Sequence, residues 1–566
     1  MDYRLLIASL LWGSLVAIAL RAALIRTSDN QLQWKVCLLT FGIVLAAALP
    51  VWRLKSLLYD GEINVDESQL LSQAMRYAID PLPWRSVDGG SSGPLNTWVV
   101  LWAPLFGLKF NYLAARITSI LCLWSMFMGL ALALAELAGR RLALLLLLPA
   151  LTFVLTTTNL DFAFLSSEQL PSAISAWVIY LIARQLRAPS RWAAYGIGLL
   201  TGALPFCKIQ IGPAAVLLFL AAAVVLWTRF GASRNLLRWL LVQSAGGLSV
   251  PALILIPVAL GGAWNEFFQF YIHSALSYKN TGAAMPAMDV SALFFSVREF
   301  GFLSVLSGLL TIFALSAAWL NRRAFLRQKS YLWTFLLSFI YLILVAGSIL
   351  KTGYPFPHYL MFLIVPSVTL LGVSFIPLHR VQQVHEETAP KFNRLSIAGL
   401  CVVLTAIFVQ ASATVGDLVR NPVLRGNWGS GLHPIGEVIR KLVNPGDSIA
   451  IWGWAPKFCV MSQTPPAFRF SQSLFFLDES PAFQEVRGFY LDRFLNDLEK
   501  SRPKLFIDAP DEFMWPGYPH GIMARHWALP VLSEFVRKNY SLLGSIESPP
   551  GKTAIMIYRR KEDGPN

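Results

Sequence analysis

The chain has 566 residues, of which 55% are hydrophobic and only 14% charged, and its mean hydropathy is +0.54. An average soluble domain carries about 25% charged residues, so this composition excludes an ordinary soluble enzyme. The net charge of +15 would suggest nucleic-acid binding if it were spread over a soluble surface. However, residues 1–413 hold 29 Lys and Arg against 16 Asp and Glu, whereas residues 414–566 hold 18 against 16. The basic excess therefore belongs to the apolar part of the chain, and we expect no nucleic-acid partner.

Apolar blocks of about 15 to 25 residues, each closed by basic or turn residues, predict a mainly α protein, a polytopic membrane bundle of helices. The first block is not a cleavable signal peptide, because it lacks a small-residue cleavage site before Arg26 and a second block follows at once. The twelve predicted spanning helices lie near 5–25, 36–52, 112–137, 142–158, 169–186, 193–206, 212–229, 237–260, 300–320, 331–349, 359–377 and 395–413.

The loops between the predicted spans alternate in charge. Those after the first, third, fifth, seventh, ninth and eleventh spans carry 17 basic residues against three acidic ones. By the positive-inside rule these loops face the cytoplasm. We expect the protein to lie in the cytoplasmic (inner) membrane of a bacterial cell. Both termini, the first long loop at 53–111 and the whole tail are then on the outer, periplasmic side.

The composition changes near residue 414, where apolar runs become short and both charge signs mix. The sequence therefore predicts two domains, a transmembrane domain at 1–413 and a small extracytoplasmic α/β domain at 414–566. In the second domain the predicted strands lie at 448–454, 504–507 and 553–558, and the predicted helices at 434–442, 482–500 and 529–538.

The first outer loop contains the acidic pair Asp66 and Glu67, directly before a predicted helix. Carboxylates at this position cap a helix and are stabilised by its dipole, which is one interpretation. The other is a general base held at the membrane surface. Successive residues at a helix start point about 100° apart, so the two carboxylates are not expected to face one cleft, and Asp66 is the preferred base.

Further candidates lie at predicted outer ends of helices. Asp161 is a turn residue or a second site carboxylate, and Glu168 begins a predicted span, where ionisable groups tend to face a cavity. Lys208 lies in a tight turn and is either a snorkelling lysine or a partner for a lipid phosphate. His358 and Tyr359 lie in a proline-rich turn that we expect at the mouth of the bundle.

The five cysteines form no disulfide framework or CxxC pair, and the acidic and His residues of the tail lack metal-ligand spacing. The sequence therefore assigns no metal ligand and no certain cofactor, and a divalent metal is left open.

In their order along the chain, these residues resemble the integral-membrane glycosyltransferases of the GT-C superfamily, in particular the protein O-mannosyltransferases and the lipid A aminoarabinose transferases. The resemblance covers most of residues 1–413. Beside the acidic pair, the outer carboxylates, the helix-end lysine and Pro-His-Tyr, it rests on Pro94-Leu95-x-x-Trp98 and on Ala114-Ala115-Arg116. The chain differs from the aminoarabinose transferases at Gln69, where they have Arg, and at Ser92-Gly93, where they have Lys-Pro.

The resemblance implies transfer of a sugar from a polyprenyl-phosphate donor to a hydroxyl of a lipid, glycan or protein acceptor, with inversion at the anomeric carbon and membrane lipids as surroundings. It implies catalytic roles for Asp66, Glu67 and Glu168, and substrate-binding roles for Lys208, Arg116, His358, Tyr359 and Asp161.

Two other classes of protein stay open at this point. A membrane transporter or flippase for a lipid-linked glycan would need charges near the bilayer midplane and broken helices in paired positions. A non-catalytic glycan-binding or assembly subunit would need neither a base nor a phosphate partner. The clustering of charges on one side favours the glycosyltransferase.

Overall fold

The computed structural model describes residues 3–24, 31–277, 292–320, 329–376, 434–512, 521–547 and 552–561, together with Thr405 and Val409. Eleven of the twelve predicted spans are helical, and the twelfth, at 395–413, lies outside the continuous described ranges. The helices of the first half of the chain are α1 (Tyr3–Leu24), α2 (Gln31–Trp52), α3 (Leu54–Leu58), α4 (Val65–Ile79), α5 (Pro94–Trp98), α6 (Tyr112–Leu137), α7 (Arg140–Thr156), α8 (Gln169–Arg187), α9 (Arg191–Cys207), α10 (Gly212–Phe230) and α11 (Arg234–Leu260). They are followed by α12 (Trp264–Phe267), a π-helical stretch (Phe268–His273), α13 (Ser274–Ser277), α14 (Leu293–Ser296), α15 (Arg298–Leu320), α16 (Lys329–Leu350) and α17 (Met361–Ser374).

Seven of the described helices are long and apolar enough to cross a membrane, by length and composition: α1, α2, α6, α10, α11, α16 and α17, with α10 and α17 each counted together with the turn before it. The innermost is α17, since 89% of its span is buried inside the protein. The chain is therefore a multi-pass membrane protein, and the predicted helical bundle is confirmed.

Helices α9 and α11 approach so closely that their backbones touch. A Cβ atom built on Gly198 of α9 would overlap the carbonyl oxygen of Gln243 in α11. Small residues at such a crossing allow close packing of spanning helices, where burial from water supplies little driving force. This crossing fixes α9, whose C-cap is Lys208, against α11.

The loop at 53–111, which is the first loop predicted on the outer side, folds over one end of the bundle. Its main element is α4, and Asn64 is the N-cap of this helix: the residue has an extended backbone, and its side chain accepts a hydrogen bond from the N–H of Asp66 (3.0 Å). The cap satisfies one of the free N–H groups of the first helical turn. Asp66 and Glu67 occupy that turn, where the helix dipole favours negative charge.

The described part of the tail is an α/β domain built on a four-stranded sheet of order β1-β2-β4-β3. The first two strands are parallel and the other pairings are antiparallel. Strand β3 was not predicted, and the boundary predicted near residue 414 lies outside the described ranges. The strands are β1 (Ile449–Trp452), β2 (Leu505–Asp508), β3 (Tyr540–Ile546) and β4 (Ile555–Arg560), and the helices are α18 (Pro434–Leu442), α19 (Lys457–Ser462), α20 (Pro481–Ser501) and α21 (Pro530–Asn539).

The α/β domain packs directly on α4. The indole N–H of Trp454 donates to Oε1 of Gln69 (3.2 Å), and the amide of Gln73 donates to the Ser471 hydroxyl (2.9 Å). A salt bridge between Arg493 and Glu266 (2.8 Å) joins α20 to the segment that follows α11. The tail domain and the first outer loop are therefore on the same end of the bundle.

Candidate active site

A cleft with a cavity volume of about 240 Å³ lies between α4, the turn before α17 and the α/β domain. Of the eight site residues predicted from sequence, four line this cleft: Asp66, Lys208, His358 and Tyr359. The structure therefore brings together residues that are separated by up to 293 positions in the chain.

At one side of the cleft, the His358 imidazole lies between the cleft carboxylate of Asp66 and the carboxylate of Asp161 behind it. Nε2 of His358 lies 3.5 Å from Oδ2 of Asp66, and its Nδ1 lies 3.7 Å from Oδ2 of Asp161. The amide of Asn64 donates to Oδ1 of Asp161 (3.3 Å), so the residue that caps α4 also connects the two acidic segments. The side chain of Asp66 is 30% exposed and that of His358 only 3%. Of these two groups, Asp66 is the more accessible to a substrate in the cleft.

Burial raises the pKa of the Asp66 carboxyl above its usual value, although the His358 ring and the Lys208 ammonium act in the opposite direction. Asp161 and Glu168 add to the increase, since neighbouring negative charge disfavours ionisation. A raised pKa makes a carboxylate a stronger base, which is the property that proton abstraction requires.

The other side of the cleft carries a buried cation. The ammonium of Lys208 donates to the hydroxyl of Ser167 (2.7 Å) and to Oε1 of Glu168, and it lies 4.7 Å from the centre of the Tyr359 ring. Lys208 is 3% exposed and Glu168 is fully buried. Two of the three N–H groups of the ammonium thus have acceptors among the described residues, and these acceptors fix its position.

The backbone next to Lys208 is held by the loop before α5. Ser92 pairs with Lys208 as in an antiparallel strand, and the N–H of Gly93 donates to the carbonyl of Cys207 (2.8 Å). A Cβ atom on Gly93 would overlap the Phe206 carbonyl, so only glycine fits there. The buried amide of Asn96 donates to the same Cys207 carbonyl (2.8 Å). These contacts determine where the lysine enters the cleft.

The structure does not bring Glu67 and Arg116 into the cleft. They form a fully buried bidentate salt bridge, with N–O distances of 2.9 and 2.8 Å. The remaining N–H groups of Arg116 donate to the carbonyls of Ser56 (2.5 Å), Tyr59 and Gly61 (2.6 Å). All five guanidinium donors are therefore used within the protein, and none is left for a phosphate.

Three polar residues of this region were not identified from the sequence. Asn64 had a usable signal, because an Asn two residues before an acidic helix start is a typical cap. Asn96 and Asp88 gave none, since their positions depend on contacts distant in sequence. Asp88 lines the cleft, and burial raises the pKa of its carboxyl to about 7. Within the described residues, no group of three or more His, Cys, Asp and Glu could hold a metal ion.

Comparison with solved structures assigns the fold. The chain shares its fold with ArnT, a GT-C glycosyltransferase, so the resemblance inferred from sequence is confirmed at the level of the fold. It is similar to ArnT from Cupriavidus metallidurans bound to undecaprenyl phosphate, with a TM-score of 0.55 and 14% identity over 93% of this chain and 98% of that chain. The apo state of the same protein matches with a TM-score of 0.55 and 14% identity, over 93% and 97% of the two chains.

The oligosaccharyltransferase of Archaeoglobus fulgidus, tethered with an acceptor peptide, has a TM-score of 0.41 and 11% identity over 94% of this chain and 74% of that chain, which is too low to support an argument. No protein-family model and no curated protein sequence matches the chain.

Proposed function

We propose that this protein is a glycosyltransferase that moves a sugar from a polyprenyl-phosphate-linked donor to an acceptor hydroxyl at the outer face of the bacterial cytoplasmic membrane. The observation that carries the proposal is the presence, in one cleft, of a reachable carboxylate with a raised pKa, Asp66, and a buried, fixed ammonium, Lys208. Further support comes from the fold, since ArnT has the same fold and was solved with undecaprenyl phosphate.

Asp66 is the proposed general base. The proton of the acceptor hydroxyl passes to the Asp66 carboxylate while the acceptor oxygen bonds to the anomeric carbon. His358 also lines the cleft, but its ring is only 3% exposed and lies between the two Asp side chains. Its proposed role is therefore to position Asp66 and to balance the negative charge of Asp66, Asp161 and Glu168.

Lys208 is the proposed partner of the leaving group. As the acceptor oxygen attacks from the opposite face, the bond between the anomeric carbon and the phosphate oxygen breaks, and its electron pair stays on the polyprenyl phosphate. A lipid phosphate is already a stable anion, so a hydrogen-bonded cation can replace a general acid. The third N–H of the ammonium is the proposed donor to the phosphate, and displacement of this kind inverts the anomeric carbon.

Glu67 and Arg116 have a structural part in this proposal rather than a catalytic one. Their salt bridge and the three carbonyls bound by Arg116 fasten residues 56–61 to the start of α4 and α6. The pair thereby holds the helical turn that carries Asp66.

The test is consumption of labelled polyprenyl-phosphate sugars by the protein in lipid nanodiscs, with polyprenyl phosphate release as the readout. We expect wild-type protein to consume at least one such donor. The double variant Lys208→Met with Glu168→Gln removes both charges, so it leaves no unpaired buried ion. We expect this variant to bind the donor about 10- to 100-fold more weakly, the loss for a hydrogen bond to a charged group.

The matched control is Lys351→Ala, because Lys351 is an exposed lysine in the turn that leads to His358. Its donor affinity should equal that of the wild type. Failure of every donor to be consumed would contradict the proposed function, and equal donor binding by the double variant would remove Lys208 from the phosphate site.

A further inference from the structure

One wall of the cleft belongs to the α/β domain. It is formed by the segment before α20 and the first turns of that helix. The residues that line the cleft here include Ser471, Gln472, Phe475, Asp478, Ser480 and Tyr490. The wall adjoins the proposed base, because Trp454 of the same domain bonds to Gln69, less than one helical turn after Asp66.

Two uncharged polar atoms of this wall have no hydrogen-bond partner among the described residues: Oε1 of Gln472 and Oγ of Ser480. Ser480 precedes α20 in an extended conformation, yet its side chain forms no cap with the helix. Buried polar groups are nearly always hydrogen-bonded in folded proteins, and an unpaired one requires an explanation. Hydroxyl groups of a bound ligand would satisfy both atoms, because a hydroxyl can donate as well as accept.

The charges of the cleft disfavour an anionic ligand at this wall. Among the described lining residues, Lys208 is the only Lys or Arg, and it is already paired with Glu168. The carboxyls that line the cleft are Asp66, Asp88 and Asp478. Asp478 is held in the wall by the N–H of Ser480, which donates to it (2.8 Å). Phosphate groups are bound by Arg, Lys or clustered N–H donors, and these side chains supply no cation next to Gln472 and Ser480.

Aromatic rings also line the cleft, on the side of the bundle. Tyr354 and Phe356 lie in the segment before α17, and His358 follows in a 3-10 helical turn. Consecutive rings of the three stack, with centroid distances of 5.8 and 5.4 Å and interplanar angles of 17° and 11°. Flat rings opposite neutral hydrogen-bonding groups suit a sugar, which has an apolar C–H face and a rim of hydroxyls.

We propose that the α/β-domain wall is the acceptor subsite and that it binds an uncharged, hydroxyl-rich glycan rather than a phosphorylated one. The identification of the bound glycan as the acceptor rests on the proposed function, whereas the binding of the glycan does not. Gln472 and Ser480 hydrogen-bond the glycan, Asp478 repels anionic substituents, and the nearby Asp66 receives the proton of the hydroxyl that reacts.

The experiment measures glycan binding without any donor, so that a failure of donor use leaves it unaffected. Protein in lipid nanodiscs is titrated with methyl disaccharides of glucose, galactose and mannose and with their 6-phosphates, and binding is followed by saturation-transfer NMR. We expect at least one neutral disaccharide to bind, and its 6-phosphate to bind at least tenfold more weakly.

Two sets of variants test the residues. Gln472→Met with Ser480→Ala should weaken binding of the neutral disaccharide about tenfold, since two hydrogen bonds are lost. Asp478→Asn keeps an acceptor for the Ser480 N–H but removes the negative charge. It should therefore reduce the difference in affinity between the neutral and the phosphorylated disaccharide. The control Trp527→Ala changes an aromatic residue of the same domain that is 42% exposed and does not line the cleft, and it should bind as wild type.

Any of three results would overturn the proposal. The first is that a 6-phosphate binds more tightly than its neutral parent. The second is that no neutral disaccharide binds, and the third is that the double variant binds the neutral disaccharide as tightly as the wild type does. Thermal unfolding of each variant separates a lost contact from a lost fold.

Discussion

Glu67 and Asp66 are neighbours in the chain, and the structure gives them different surroundings. Glu67 is fully buried in a bidentate salt bridge with Arg116, whereas Asp66 faces the cleft with 30% of its side chain exposed. Replacing each carboxylate by its amide, Glu67→Gln and Asp66→Asn, changes one atom in each case. We therefore expect Glu67→Gln to lower stability and Asp66→Asn to lower activity.

The loss of folding stability expected for Glu67→Gln follows from the burial of its partner, Arg116. Arg116 is 2% exposed and stays charged, so the substitution leaves an uncompensated buried cation. Removing one member of a buried pair typically costs about 3–5 kcal/mol. The three backbone carbonyls bound by Arg116 remain and keep the loss near the lower end of that range. By contrast, burial raises the pKa of Asp66, so its ionisation at neutral pH opposes folding, and Asp66→Asn should not lower stability.

Thermal unfolding of proteins that also carry Cys401→Ser, followed with a thiol-reactive dye, measures the stability difference, because the other four cysteines, Cys37, Cys122, Cys207 and Cys459, are all buried and become reactive on unfolding. Glu67→Gln should unfold at a clearly lower temperature than the wild type, and Asp66→Asn at the same or a higher one. An unchanged unfolding temperature for Glu67→Gln together with lost transfer would refute the structural role assigned to Glu67 and make it the catalytic member of the pair.

Two further predictions concern pH and orientation. A base must be deprotonated, so transfer should fall as pH falls through the raised pKa of Asp66, and the acid limb should lie above the value of about 3.9 for an unperturbed Asp; a pH–rate profile with an ordinary acid limb would contradict the assignment. For orientation, single cysteines are introduced at exposed Leu543 and at exposed Arg140 in a chain whose five native cysteines are replaced by serine. In intact spheroplasts a membrane-impermeant thiol reagent should label the cysteine at 543 and not the one at 140. The opposite labelling pattern would show that the predicted topology is inverted.

The sequence predicted the bundle well because spanning helices depend on local properties. Length and apolarity locate a helix without knowledge of its neighbours. The predicted 112–137 agrees with α6, and in the tail 434–442 agrees with α18. Strand β3 was missed because it lacks the local pattern on which strand prediction depends. Only Tyr540 at its start is buried, so its exposed leucines do not show the alternation of a half-buried strand.

The candidate site was only partly predictable. Asp66, Lys208 and His358 stand out because each is an ionisable group near a helix end that is predicted to lie on the outer side, and the structure places all three in one cleft. The partner of Glu67 could not be read from the sequence, because Arg116 is 49 positions away and pairs through the packing of α4 on α6. The contribution of Gln472 and Ser480 was equally hidden, since it requires the docking of the α/β domain onto α4.

The central claim is that Asp66 removes a proton from the acceptor while a polyprenyl-phosphate sugar is transferred. The most direct measurement is the single-turnover rate at saturating labelled donor, for wild-type protein and Asp66→Asn side by side. We predict that the variant binds donor with the affinity of the wild type and transfers sugar about 10²- to 10⁴-fold more slowly, the usual contribution of a general base. Transfer by Asp66→Asn at the wild-type rate would contradict the account.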